Sequence, residues 1–404
     1  MSAWDMPARL APEVQAQLVE DASARLKGLP LDVLRDRQQL QQRAMAALSN
    51  VAARAGVGLP PSMLAVLVGQ VVASLGGLGF LNDLLPPTRN DLNEITLTPE
   101  GDVWVLPKGE RFFQRVDIHP SKEETFRTVE ALLAPLGRSL TEAVPSVDAK
   151  LPRMPGVGGA RIKALHPVIA PGAGYPSLNI RLFEPVPVSP EQIVSWGVAP
   201  MEVIQALMAL VGRAYRVMVI GGTATGKTTL LSAIANGIPK DARVVKIEEP
   251  EEIYLDHPHV VTIEARPTPP GSDVPAYTVR DGVNDAMRMS PQWLIVGEVR
   301  TGDAAMSLFR AQMSDHPGLT TFHAEGPEKA VTRMEVILSA DAGVPERAAR
   351  SIFFQAVDII VQIGWLDGRR RIVGVWEATE DGAFRVLYRH GDATLTPPQK
   401  ERSA

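Results

Sequence analysis

The sequence predicts an α/β protein: a doubly wound, mostly parallel sheet in the C-terminal half, a smaller α+β domain before it, and a helical N-terminal extension. Three observations predict this. From about residue 193, short apolar runs (RVMVIGG, ARVVKIEE, HVVTIEA, WLIVGEV, GLTTFHA and DIIVQIG) alternate with helix-forming stretches, as in a parallel sheet with crossover helices. A chain of 404 residues exceeds what one hydrophobic core usually serves, so two domains are expected. Between them EPVPVSPEQ (184–192) carries three prolines, which places a linker at 185–192.

Residues 1–75 form the extension. LAPEVQAQLVEDASARL and LDVLRDRQQLQQRAMAALSNVAARAG set apolar residues three and four apart with charges between them, the helical period. One stretch raises the question of a membrane. No charged residue lies between Arg54 and Asp83, and 63–81 reads MLAVLVGQVVASLGGLGFL. Pro60 and Pro61 open it, and Gly76, Gly77 and Gly79 break it. The helix is then roughly Ser62–Leu75, ~21 Å long against a hydrocarbon core of ~30 Å. A buried or partner-facing helix in a soluble protein is the expectation.

Residues 76–184 form the α+β domain. EITLTPEGDVWVLP reads as two strands about a turn at Gly101, EETFRTVEALLAPLG as an amphipathic helix ending at Gly137, and ARIKAL and SLNIRLF as further strands. The parallel-sheet domain occupies 193–390, and 391–404 is a C-terminal tail. Hydrophobic content of 45%, charged content of 22% and a net charge of −5 suit a soluble globular protein and speak against one that wraps nucleic acid. With no cysteine in the chain, disulfides, thiol nucleophiles and cysteine-bound metals are excluded. The N-terminus lacks the apolar core of a signal peptide, so a cytoplasmic location is expected.

The chemistry gathers in the C-terminal half. Gly221-Gly222-Thr223-Ala224-Thr225-Gly226-Lys227-Thr228 fits G-x-x-x-x-G-K-[ST], follows the apolar run RVMVI and precedes the helix-forming TLLSAIAN that starts at Thr229. Glycines let backbone N–H groups turn toward phosphate oxygens, and the new helix presents its positive end to them. Lys227 adds a charge for the β- and γ-phosphates, and the Thr228 hydroxyl can ligate Mg²⁺. Downstream, PQWLIVGE is an apolar strand ending in Glu298, placed to reach Mg²⁺ or its water. VVKIEEPEE ends another strand with four carboxylates, a crowding that calls for a cation nearby. Glu252 and Glu249 are its candidates for polarising an attacking water. His323 closes GLTTF, with His316 seven residues earlier, and is a candidate phosphate sensor. Arg161, Arg181, Arg280, Arg288 and Arg300 are candidates for stabilising charge on a transferring phosphoryl group.

In this order the motifs resemble the type II/type IV secretion ATPase superfamily, which drives pilus assembly, conjugation and protein secretion. DAMRMSPQWLIVGEVR (285–300) is similar to its Walker B segment, TGDAAMSLFRAQMSDHPGLTTFHAE (301–325) to its histidine box, and KIEEPEEI to its acidic box. GLGFLNDLL, NEITLTPEGDVWV and LGRSLTEAVPSVDAKLP resemble the N-terminal domain of the branch serving tight-adherence pili and conjugal transfer. The resemblance covers about residues 76–390. It implies a RecA-like P-loop NTPase domain, ATP and Mg²⁺ as ligands, Glu298 as the Walker B acid and Glu252 as the water-activating acid. It also implies that Arg161 and Arg181 are contributed to the nucleotide by the N-terminal domain. A homo-hexamer is implied, docked peripherally on an inner-membrane platform and with no direct nucleic-acid binding. Two departures stand out: Glu248-Glu249 replaces the usual Glu-Asp, and Asp315 stands where Gly usually precedes the first histidine. A DNA translocase on a RecA-like fold and a nucleotide-gated scaffold with little turnover are the alternative readings.

Overall fold

A strand with one face buried shows a period of two, and a strand buried on both faces shows none. Both kinds are present. The computed structural model describes residues 12–26, 29, 33, 37–74, 78–86, 88–154, 158–268 and 273–402. The chain divides into two compact units, Met1–Pro185 and Val186–Ala404.

The first unit is built on an antiparallel six-stranded sheet in the order β3-β2-β1-β6-β5-β4. Its strands are β1 (Leu92–Leu97), β2 (Val103–Pro107), β3 (Gln114–Arg115), β4 (Ser146–Met154), β5 (Gly158–Leu165) and β6 (Ser177–Leu182). In β5, Ala160, Ile162 and Ala164 are buried while Arg161 and Lys163 lie on the other face; in β6, Leu178 and Ile180 are buried while Asn179 and Arg181 are exposed. The buried face packs against Val129, Leu132 and Leu133 of α4 (Lys122–Leu133), which Ser121 caps by accepting from the Glu124 amide. Gly101, at φ 93°, makes the β1–β2 turn with the Tyr175 ring against it, and left-handed Gly137 ends the turn after α4. A separate cluster ties α1 (Pro12–Arg25), α2 (Arg37–Arg54) and α3 (Pro61–Ser74) together through Leu18, Ala22, Leu48, Leu67 and Val71. The apolar stretch that raised the membrane question is α3, of 14 residues. Among the described residues no helix is long and apolar enough to cross a membrane. Leu75, Gly76 and Gly77, like residues 1–11, lie outside the described residues.

The second unit is an eight-stranded sheet in the order β14-β13-β12-β7-β11-β10-β8-β9. β7 (Val217–Gly221), β8 (Val244–Glu248), β9 (Val260–Glu264), β10 (Trp293–Val296), β11 (Gly318–His323) and β12 (Ile359–Leu366) run parallel. Every residue of β7, β8 and β10 is buried, so these strands read as continuous apolar runs. Helices α5 (Pro190–Ser195), α6 (Met201–Gly212) and α7 (Lys227–Ile234) pack on one face. On the other face lie α8 (Val279–Ala286), α9 (Gly302–Met313), α10 (Pro327–Ala342) and α11 (Glu346–Ala356).

Three expectations are corrected. The linker is interrupted by a helix, since Ser189 and Gln192 form a capping box and Pro190 takes the first helical position, where its missing N–H costs nothing. Strands β3, β4, β13 (Arg369–Ala378) and β14 (Phe384–Arg389) were not expected, and the last two pair antiparallel. Residues 391–404 are also more than a tail: Gln399 and Lys400 donate backbone N–H groups to buried Glu377, at 3.1 and 2.7 Å.

Those residues close over Asp358, whose side chain is wholly buried. It accepts from the Arg216 backbone N (3.0 Å), Nε (2.9 Å) and Nη2 (2.8 Å), from Lys400 Nζ (2.6 Å) and from Arg402 Nη2 (3.0 Å). Burial alone would push its pKa up; the Arg216 and Lys400 hydrogen bonds and charges override that and hold the carboxyl well below the usual carboxylate range. Removing one partner of such a buried pair typically costs about 3–5 kcal/mol, so Asp358→Asn should lower unfolding free energy in urea by that order. The group's folded pKa is depressed, so its contribution is complete above the unfolded value of roughly 4 and drains away as pH falls below it. The gap between wild type and Asp358→Asn should therefore narrow from pH 5 to pH 3, and a constant gap would contradict this account.

Candidate functional site

β7, β11, β10 and β8 end along one edge of the sheet, and register decides which residues meet there. His323 pairs with Gly221 across β11 and β7, Val296 of β10 lies opposite Ile247 of β8, and Glu298 follows two residues later. At Gly221 a Cβ would meet the Ile363 carbonyl oxygen and lie 2.7 Å from Thr225 Oγ1, so only glycine leaves the strand here. The loop then turns through left-handed Ala224 (φ 57°) and Gly226 (φ 93°) into α7. The first-turn N–H groups of a helix have no acceptor within it and face an anion at this position.

Lys227 is buried, and its Nζ lies 2.9 Å from the Gly222 carbonyl and 3.3 Å from His323 Nε2. His323 Nε2 lies 2.7 Å from Glu298 Oε1, Arg300 Nε donates to Glu298 Oε2 at 2.6 Å, and Arg333 Nη1 donates to the His323 carbonyl at 2.9 Å. The His323 pKa is lowered by burial first and the Lys227 charge second, against an upward pull from Glu298. A neutral ring protonated on Nε2 donates to Glu298 and leaves Nδ1, 3.4 Å from Lys227 Nζ, to accept from the ammonium. Gly297 keeps the adjacent strand end narrow, since its Cβ would lie 2.9 Å from Glu248 Cγ.

The cation that the crowded acids call for is Lys246, from within their own strand. It is buried, with Nζ 2.8 Å from Glu251 Oε1 and 3.0 Å from Glu248 Oε2. Glu248 Oε1 in turn accepts from the Glu252 and Ile253 amides at 3.0 and 2.9 Å, which folds the 249–253 loop back on the strand. Burial raises the Glu248 pKa against the lowering by Lys246. Glu248 and Glu251 are thus taken up by Lys246, while Glu249 is exposed and Glu252 half-buried beside them. Sequence reasoning missed Lys246 and Arg333; a lysine inside an otherwise apolar strand was the available signal for the first.

His316 does not join His323. It precedes Gly318, where β11 begins, and so lies at the opposite end of that strand. Arg300 sits on Glu298, whereas Arg280 lies 3.5 Å from Asp281 and 3.7 Å from Asp303, and Arg288 is exposed just beyond α8. In the first unit Arg161 and Arg181 are cross-strand partners on β5 and β6, and Arg161 Nη2 lies 4.0 Å from Asp148.

The residues fit a nucleotide: a cradle that excludes Cβ at Gly221, a buried lysine, the Thr228 hydroxyl and a carboxylate on the neighbouring strand end. Fold and site together define a P-loop ATPase of RecA-like architecture. The chain belongs to the family described as "Type II/IV secretion system protein", which it matches over residues 84–361. It is 30% identical over 327 residues to a "Putative conjugal transfer protein" of Mycobacterium tuberculosis, covering 80% of this chain and 91% of that one. It is 28% identical over 283 residues to the conjugal transfer protein TrbB of Rhizobium radiobacter, covering 69% of this chain and 81% of the other. Among solved structures its fold is similar to the ATPase DotB of Legionella pneumophila, with TM-score 0.53 and 18% identity, covering 78% of this chain and 82% of that one.

The causes of the His323 shift give a direct test. Lys227→Met should raise the His323 pKa, and Glu298→Gln should lower it further, both read by imidazole NMR titration. Movement of either in the opposite direction would refute the assigned network.

Proposed function

We propose that this chain is a homo-hexameric, Mg²⁺-dependent ATPase. It couples hydrolysis to motion between its two units and powers a type IV secretion, conjugation or tight-adherence pilus machine from the cytoplasmic face of the inner membrane. The observation that carries the reading is the continuous Lys227–His323–Glu298–Arg300 chain at the phosphate loop, in a chain of the secretion family. Residues 221–229 grip the phosphates, Lys227 neutralises the β- and γ-phosphates, and Thr228 with Glu298 (through water) would hold Mg²⁺. Mg²⁺ is bound in such sites through one or two protein ligands together with substrate phosphates. Bound there, Mg²⁺ supplies charge neutralisation at the terminal phosphates.

Glu252, positioned by the Glu248 carboxylate, polarises the attacking water, with Glu249 as the alternative acid on the same loop. His323, in contact with both Lys227 and Glu298, senses the terminal phosphate. Arg161 and Arg181, side by side on neighbouring strands, supply the guanidinium charge for the developing phosphoryl charge. Loss of the γ-phosphate then releases the N-terminal unit, which is the motion delivered to the membrane platform.

Hydrolysis assayed with light-scattering mass tests this reading. Wild type should turn over ATP only with Mg²⁺, as a particle of roughly six subunits in keeping with closed ring symmetry. Lys227→Ala and Glu298→Gln should each lose at least about a hundredfold in kcat. Arg161→Ala and Arg181→Ala should cost the full chain on the order of a thousandfold in kcat while leaving its nucleotide binding intact. A monomer that binds ATP without hydrolysing it at any concentration would refute the motor.

A further inference from the structure

The two sides of β7 are equipped differently. On one side β11 and β10 lead to His323 and Glu298; on the other β12 and β13 form a hairpin. Its turn at Asp367 and Gly368 has positive φ at both residues, 49° and 73°, which keeps the hairpin tight and twisted. Trp365 pairs with Arg370 across it, two residues beyond the Ile363–Ile372 pair. Ile363 and Ile372 belong to the core on the α7 face, so the next pair toward the tip continues past the start of α7.

The phosphate loop lies against this hairpin. The Cβ position of Gly226, which caps α7, is 3.7 Å from Ile363 Cδ1 and 3.6 Å from Arg370 Cδ. The Arg370 guanidinium carbon lies 4.9 Å from the centre of the Trp365 ring, and both residues are half-buried. Its neighbours go elsewhere: Arg371 Nη1 is 2.6 Å from the Cβ position of Gly197, and Arg369 is exposed. Of three consecutive arginines, one is brought to the loop and laid on an indole.

A nucleoside triphosphate in this loop has its direction set by the acids. Its terminal phosphate belongs toward Glu298 and His323, so the nucleoside end extends to the other side of β7, where the hairpin stands. We propose that Arg370, held over the Trp365 ring, is the binding residue for the nucleoside end of the nucleotide. A planar cation stacked on an indole offers N–H donors to the α-phosphate and a flat polarised face to the purine. This rests on the reading of residues 221–229 as the phosphate grip.

The experiment titrates ADP and inorganic pyrophosphate into the full chain, as wild type, Arg370→Ala, Arg370→Lys and Trp365→Phe. Arg370→Ala should weaken ADP about tenfold, the scale of one lost stacking and charge contact, and leave pyrophosphate at the wild-type value. KM for ATP should rise by the same factor while kcat holds, and Arg370→Lys should recover part of the loss. The change in tryptophan emission on adding ADP should disappear in Trp365→Phe. Retained pyrophosphate binding also certifies that a variant is folded. Unchanged ADP affinity in Arg370→Ala, or equal weakening of ADP and pyrophosphate, overturns the proposal. Wild type binding neither ligand would instead overturn the phosphate grip, and the proposal with it.

Discussion

Parallel pairing of β7 with a neighbour on each side is the constraint on which the nucleotide site depends. Because β11 and β12 run with β7, the C-terminal ends of all three gather on one edge. Residues that follow those ends therefore meet without any long excursion of chain. The same pairing leaves no room at Gly221, where the Ile363 carbonyl of β12 occupies the place of a side chain. A larger residue there would force β12 away from β7 or deform the loop, so the sheet itself demands this glycine. His323 reaches Lys227 for the same reason, since its register partner is Gly221.

Two buried lysines then organise the acidic loop and the glycine-rich loop. A lysine is costly to bury unless its ammonium finds acceptors. Lys246 finds Glu251, Glu248 and the Ile253 carbonyl, and in doing so folds the acidic loop back on its own strand. Lys227 finds the Gly222 carbonyl and the His323 ring, at the point where the loop opens. One ammonium shapes the acidic loop after β8; the other stands where the glycine-rich loop enters α7. Of the four carboxylates at the end of β8 and in the loop after it, Glu248 and Glu251 are thus held by Lys246.

Elements buried on both faces were legible in the sequence, because a continuous apolar run has few other uses. VMVIG, VVKIE and WLIV became β7, β8 and β10. The strand, tight loop and helix over 217–234 were legible because the loop's glycines are required by geometry. What escaped were strands that owe their existence to a partner. β4 carries Asp148, Lys150 and Pro152, and β13 opens with Arg369, Arg370 and Arg371; neither has an apolar signature, and each is a strand only through its neighbour. Lys246 could be read as a strand residue but not as the partner of Glu251, because that contact needs the chain to fold back after Glu248. Asp358 and Arg216 are 142 residues apart, beyond what any local pattern reports.

That distant pair bears on the site through register. Arg216 precedes β7 and Asp358 precedes β12, and they are joined three ways: Asp358 N and Ile359 N donate to the Arg216 carbonyl, and the Asp358 carboxylate accepts from both backbone and side chain of Arg216. A slip of one residue between these strands would turn every side chain of one of them to the opposite face. Ile363 would then no longer close on Gly221, and Trp365 and Arg370 would leave the loop. An apolar pair of similar volume could supply comparable stability at such a buried position, so we infer that the use of this ion pair is to favour one register. The ion pair at the start of β7 and β12 is therefore best understood as what fixes, at the far end of the same two strands, which residues wall the phosphate loop.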